Sequence, residues 1–373
     1  MYRRERTSTS LIIGLICFIC TTIAKADVVD NLYLAEVPVE NQERDTRQTA
    51  IATGMRDVLV RISGRSLVLT VTMIEDALLQ PTRYVQRYRY FDREVDGVKQ
   101  KHLRVEFDKK AINKLLRDNN LPVWGKNRPS TLLWLVIDNR RSRTLLSNDR
   151  KAQARLYIDA QAKNRGLPLK LPLYDLTDRS NLKISDVWGN FEDTIMQASE
   201  RYHSEAILVG RVYKTYSNSW SGRWTLYSEG RRLDWESEGE TLDQALIPGV
   251  TSTADYLASR YVQDDDENDS GQLLLKVTGL DSLQAYTRTV AYLDSLDVVR
   301  EVNPHVVVSD NVVFSLKSRG GRLAVSKAIS LGHTLVVEAN QEIVQQPNTK
   351  QGGTQPEPGA ELIRPDLTYK LVP

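Results

Sequence analysis

Both cysteines of this 373-residue chain, Cys17 and Cys20, fall within its first 20 residues, so everything beyond them folds without a thiol. That fact excludes a disulfide framework, a thiolate zinc site, a cysteine nucleophile and a redox pair together. Stability must come from hydrophobic cores alone. The stretch holding the cysteines has the three parts of an export signal: Arg3, Arg4 and Arg6, an apolar run from Leu11 to Ile23, and Ala24-Lys25-Ala26 just before Asp27. Ile16 and Ile19, which precede the cysteines, are large where a lipoprotein signal needs a small residue. The expectation is a leader over residues 1–26, cleaved after Ala26, and a periplasmic protein beginning at Asp27. The alternative is an inner-membrane anchor formed by an uncleaved signal, for which the apolar run falls short of the roughly 20 residues that span a bilayer. No later stretch approaches that length, so no transmembrane span is expected after cleavage. A thiol-free exported chain of this size fits the periplasm of a Gram-negative bacterium.

Charge points away from nucleic acid. The leader carries a net +3 from Arg3, Arg4, Arg6 and Lys25 against Glu5, and the whole chain is formally +2, so the remainder stands near −1. The basic character of the full sequence belongs to the leader, and no overall field favours nucleic acid or an anionic membrane.

The rest of the chain reads as α+β or α/β and multidomain, with three small sheet-plus-helix domains. Over residues 27–126 the order is βααββα. Ile51, Met55, Val58, Leu59 and Ile62 recur at helical spacing, and two extended runs flank Asp96-Gly97, a hairpin signal. Within that hairpin, strand alternation places Tyr84, Tyr88 and Tyr90 on one face and Arg87 and Arg89 on the other, so the tyrosines are expected to pack rather than to stack bases. Residues 130–262 open with the continuous apolar run Thr131 to Ile137, the mark of a strand buried on both faces. They continue as βαβαβββα, with a strand from Pro168 to Tyr174 and a helix capped by Asn190. Residues 263–271 are an acidic linker. It lacks the glycine and the closing glutamate of a calcium loop, since Asp269 and Leu275 hold those positions. Residues 272–339 read as βαββαβ, the ferredoxin-like unit, and residues 340–373 as a largely disordered Gln-, Pro- and Gly-rich tail.

Against this scaffold, catalytic motifs are missing: there is no nucleophile elbow, phosphate loop, dinucleotide fingerprint or His-Glu-x-x-His, and the four histidines lie in separate elements. No cofactor or metal is expected. The most site-like grouping is Asp138, Asp175, Asp178, Asp186 and Trp188 in the middle domain. If the strands at Leu132 and Leu169 run parallel, their carboxyl ends share the edge where α/β sheets bind ligands. The same residues also read as loop turns, local hydrogen-bond acceptors and a tryptophan plug. Basic residues gather at Arg140, Arg141 and Arg143 in the loop after the first strand of that domain.

Several multi-residue phrases stand in order along the chain: Leu121-Pro122-Val123-Trp124-Gly125 with Arg128-Pro129, Arg165-Gly166-Leu167-Pro168 running to Tyr174-Asp175-Leu176, Asp186-Val187-Trp188-Gly189 with Ala198-Ser199-Glu200-Arg201-Tyr202, Gly210-Arg211-Val212, and Trp220-Ser221-Gly222-Arg223-Trp224. They resemble the DUF 2066 family of exported bacterial proteins of unknown function. The resemblance implies export and carries no catalytic residues with it. The middle domain is also similar, at the level of fold, to envelope accessory proteins of the TolB and curli-secretion type. Two functions follow. The leading expectation is a non-enzymatic envelope interaction or assembly module whose partner is an envelope protein and not nucleic acid. The alternative is a hydrolase or metal-dependent enzyme using the acidic loops of the middle domain. The sequence leaves partner identity and oligomeric state open.

Overall fold

A computed structural model describes residues 27–95, 97–147, 152–261, 272–332, 334–338 and 365–372. The expected leader, the acidic linker and most of the expected tail therefore lie outside the described residues. The fold is α+β with three main sheets, each with its own core and helices packed on it.

The first unit runs β1 (Asp27–Val28), β2 (Leu34–Pro38), α1 (Arg44–Ser63), α2 (Thr72–Leu79), β3 (Val85–Val95), β4 (Val98–Phe107) and α3 (Lys109–Asp118). Its sheet has the antiparallel order β2-β4-β3. The five residues spaced on one face of α1 are each 1% exposed or less, packed against Ala35, Val37, Leu103 and Val105. The hairpin alternation holds in part: Tyr84 and Tyr90 pack against this core and Arg89 lies opposite Arg104 on the other face, but Tyr88, expected to pack with them, is 48% exposed near the outer edge of the sheet. Gly64 ends α1 at φ 68, and Asp108 caps α3 by accepting from the Ala111 N–H at 2.8 Å.

The second unit contains β5 (Asn127–Arg128), which pairs with β1, then β6 (Thr131–Asp138), β7 (Arg143–Leu145), α4 (Gln153–Arg165) and β8 (Leu169–Lys170). It continues through α5 (Leu176–Asn181), α6 (Ile184–Gly189), α7 (Glu192–Ser199), β9 (Ala206–Lys214), β10 (Trp220–Ser228), β11 (Arg231–Gly239) and α8 (Leu242–Tyr261). The sheet order is β11-β10-β9-β6-β7, with β8 also on β6, and β6 and β9 run parallel. Alternation along β6 explains its unbroken apolar run. Leu133 and Leu135 face α4 and α8, whereas Leu132, Trp134 and Val136 face α5 to α7. Two sequence expectations change here. The strand predicted from Pro168 to Tyr174 shrinks to two residues, because Pro168 and Pro172 have no N–H to donate to a ladder. Asn190 ends α6 in the left-handed conformation, φ 54, instead of starting α7; asparagine tolerates that conformation better than most residues.

The third unit is β12 (Gln272–Thr278), α9 (Leu283–Asp294), β13 (Val299–Val308), β14 (Asn311–Ser318), α10 (Gly321–Ser330), β15 (Leu335–Val337) and β16 (Leu367–Leu371). The first six elements are the ferredoxin-like βαββαβ. The sheet order β13-β14-β12-β16-β15 adds a fifth strand, β16, parallel to β12 and antiparallel to β15. The expected tail of residues 340–373 thus ends in a central strand. Tyr369 and Leu371 reach 3% and 7% exposure in the core; five residues beside a Pro- and Gln-rich stretch are too few to show a period.

Three buried arginines join the first two units. Arg128 is fully buried and donates five hydrogen bonds, all to main-chain carbonyls: Gly125 at 2.8 Å, Arg165 and Gly166 at 3.0 Å, and Arg61 and Trp124 at 2.9 Å. Its guanidinium also lies 4.1 Å from the centre of the Trp124 ring. Burial pulls it down from 12.5 to about 9, still charged at neutral pH. Arg61 donates to Leu32, Leu34 and Asn164 carbonyls, and Arg165 to the Gly64 carbonyl and to Asp255. At the edge of this junction Glu36 takes bonds from Arg93 and Arg104 in its own unit, and Lys163 of α4 stands 3.4 Å away. Burial works to raise the Glu36 carboxyl, yet those bonds and the Lys163 charge hold it at about 2 against a usual 4.5.

Replacing Arg128 by Met strands five carbonyls in the interior and is expected to cost about 3–5 kcal/mol in urea unfolding, while the exposed Arg231→Met stays within about 0.5 kcal/mol. Because the Glu36 carboxyl is depressed, its contribution is complete above pH 4.5 and lost as pH falls towards 2. Glu36→Gln should therefore flatten the acid limb of the stability curve in that window, and an unchanged limb would show that the carboxylate contributes nothing across the junction.

Candidate functional site

The carboxyl ends of the parallel strands β6 and β9 bring together two of the five residues singled out from sequence. Asp138 closes β6 in register with Tyr213 of β9. Trp188, presented by α6, stacks edge-on against the Tyr213 ring with centroids 6.2 Å apart. Arg143 of β7 completes the group: its guanidinium lies 3.8 Å from the centre of the Trp188 ring and bonds the Asp138 carboxylate at 2.9 Å. The Arg140 N–H donates to the same carboxylate at 2.9 Å. That bond, followed by the Arg143 contact acting against partial burial, keeps Asp138 below the usual carboxylate range.

The loop between β6 and β7 is a tight turn in which Asn139 accepts from the Arg141 and Ser142 N–H groups and Arg140 takes φ 71. This conformation turns the Arg140 guanidinium over Tyr216, 5.0 Å from its ring centre, and Tyr216 is 95% exposed. Asp138, Arg140, Trp188, Tyr213, Lys214 and Tyr216 line an open recess of about 430 Å³.

The other acidic residues go elsewhere. β8 runs parallel to β6 as expected, but it ends beside Leu132, six residues and roughly 20 Å before Asp138 at about 3.3 Å per residue. Asp175 caps α5 and holds Arg201 in a two-pronged pair at 2.8 and 3.0 Å. Asp178, 1% exposed, accepts from Arg201 at 2.9 Å, the Tyr174 N–H at 2.7 Å and the Tyr202 hydroxyl at 2.5 Å. The Arg201 bonds and the Asp178 N–H hold the Asp175 carboxyl at about 2. Asp186 reaches back to the Lys183 N–H at 2.9 Å and so caps the start of α6. These three carboxylates therefore serve as caps and buried anchors. Among the described residues no three His, Cys, Asp or Glu side chains stand close enough to hold a metal ion.

The sequence shows Arg143 in a basic loop and Arg201 and Tyr202 in a family-like phrase but gives none of them a role, and it does not single out Tyr213 and Tyr216. Tyr213 was in reach, since alternation from Ile207 and Val209 puts it on the Trp188 face of β9. The pairing of Arg201 and Tyr202 carries no local signal; they lie 26 and 24 residues from their partners Asp175 and Asp178.

Residues 26–125 match a domain of unknown function, DUF8605. This is not the DUF 2066 family suggested by the sequence phrases, and it covers the first unit only. No curated protein matches the chain. Among solved structures, a formyltetrahydrofolate deformylase from Pseudomonas putida KT2440 is 14% identical, covering 52% of this chain and 88% of its own, with a TM-score of 0.15. A likeness that slight carries no argument about fold or activity. No helix among the described residues is long and apolar enough to cross a membrane.

Asp178→Asn should leave a buried amide among donors that need an acceptor, with Arg201 still held by Asp175, and lower stability by about 1–3 kcal/mol. Asp138→Asn, at a half-exposed pair, is expected to cost about 1 kcal/mol or less. Thermal unfolding of the two variants side by side tests the division between anchor and edge residue; equal losses would contradict it.

Proposed function

We propose that the protein is an exported envelope component that acts as a non-enzymatic interaction or assembly module, docking a partner protein at the edge formed by Asp138, Arg140, Trp188, Tyr213 and Tyr216. The observation that carries this reading is Tyr216, an aromatic ring 95% exposed with Arg140 stacked on it, beside the Trp188 and Arg143 pair. Tyrosine, tryptophan and arginine are the residue types that dominate binding energy at protein interfaces. Acid–base or metal chemistry would call for carboxylates free to change protonation or to bind an ion. Here Asp138, Asp175 and Asp178 are each committed to an arginine and Asp186 to a helix cap, which weighs against the hydrolase or metal-enzyme alternative.

Export rests on the leader pattern of residues 1–26, and periplasmic location on that pattern together with the thiol-free remainder. The DUF 2066 resemblance, whose phrases lie mostly beyond the DUF8605 match, belongs to the same proposal for residues 121–224.

A photocrosslinking amino acid placed at Tyr216 in intact cells, followed by mass spectrometry, is expected to trap one envelope protein. Tyr216→Ala should weaken binding of the purified partner by about 2 kcal/mol and leave stability within about 0.5 kcal/mol. Loss of function in complementation by Asp138→Asn, at normal abundance and folding, would instead favour chemistry at this edge.

A further inference from the structure

The first unit has a second surface that the docking edge does not use. β3 is the outer strand of its sheet, eleven residues long and paired with β4 alone among the described residues. The sheet face turned away from α1 carries Arg87, Arg89 and Arg93 on β3 and Arg104 on β4. Their carboxylate partners on that face are two: Arg87 pairs with Glu106, while Arg93 and Arg104 share Glu36 with Lys163. Arg89 is left over. It is exposed, has no ion pair among the described residues, and lies directly opposite Arg104 on the neighbouring strand. Like charges in that position repel, and no carboxylate among the described residues pairs with Arg89. A hollow of about 250 Å³ opens at this point, lined by Arg87, Arg89, Arg104, Glu106, Tyr88 and Leu34.

We infer that the β3 edge receives an extended segment of a partner protein with acidic side chains at alternate positions. A strand added beside β3 stands about 4.8 Å away, and its alternate side chains come to lie beside Arg87, Arg89, Phe91 and Arg93 on one face. The acceptor pattern follows: carboxylates next to the arginines, and an apolar side chain tolerated next to Phe91, whose ring is already flanked by Arg93 and Arg104 at 5.4 and 4.9 Å. Charge alone would suit a lipid headgroup as well. What selects a peptide is that a free backbone edge and the row of cations are offered to the same incoming strand. This surface is independent of the docking edge on β6 and β9.

The test uses the protein with a capped nine-residue peptide of alternating threonine and glutamate. Its counterparts carry glutamine for glutamate, or proline at the central threonine. Binding by the glutamate peptide is expected, with slowed amide exchange along residues 86–94. It should weaken about tenfold with the glutamine peptide and with Arg89→Glu, and be lost with the proline peptide, which cannot complete the ladder. Arg89→Glu should also raise the thermal midpoint by about 2 °C, since it turns a repulsive pair with Arg104 into an attractive one; that gain shows the variant is folded while its binding is weakened. Arg89→Gln should bind with intermediate strength, and Tyr216→Ala should bind as the parent does. Failure of the glutamate peptide to bind, binding without protection of β3, or equal binding of the glutamine peptide would each overturn the inference. Arg89-dependent binding to phosphatidylglycerol vesicles without peptide binding would also overturn it, in favour of a membrane surface.

Discussion

The fully buried guanidinium of Arg128 is the constraint on which the arrangement of the first two units depends. A charge removed from water must be compensated, and here the compensation is five carbonyl oxygens, with no carboxylate among the described residues paired to it. Three of those carbonyls, on Arg61, Arg165 and Gly166, belong to the carboxyl ends of α1 and α4, where helix dipoles leave unpaired acceptors and partial negative charge. A planar cation with five donors satisfies both helix ends at once; a lysine, with three donors on one atom, could not reach them all. Gly166 closes α4 at φ 61, and a Cβ there would meet the Arg128 guanidinium 2.5 Å away, so a side chain at this cap would displace the lock.

That lock changes what the family-like phrases mean. Trp124-Gly125 with Arg128-Pro129, and Arg165-Gly166, are the segments that build it. They describe how two units are held together and say nothing about chemistry. The same applies to Tyr174-Asp175 and Asp186-Val187-Trp188-Gly189, whose carboxylates cap short helices and anchor Arg201. What remains available for a partner is the rim those elements support, where the turn after β6 aims Arg140 and Arg143 at aromatic rings.

The third unit is tied on by thinner contacts. Asp297 accepts from the Lys126 N–H at 3.1 Å, and Lys327 of α10 pairs with Glu229 at 3.1 Å. Its sheet takes its fifth strand from the far end of the chain, placing β16 between β12 and β15. Ordering of the last residues is thereby coupled to the core of a domain that begins almost 100 residues earlier.

Local pattern was enough where the physics is local. Helical spacing located the buried face of α1, the Asp96-Gly97 pair located the hairpin, and the apolar run of β6 announced burial on both faces. The leader-like pattern of residues 1–26 and the absence of thiols elsewhere are also read from the sequence by itself. The carboxylates were legible as residues but not as roles. Asp138, Asp175, Asp178 and Asp186 look alike on paper, and only the short β8, cut off by two prolines, parts Asp175 and Asp178 from Asp138. The partners Arg201 and Tyr202, the five-carbonyl seat of Arg128, and the insertion of β16 were decided by tertiary structure alone. Each joins groups dozens of residues apart, and no periodicity along one segment encodes a contact made by closing a long loop.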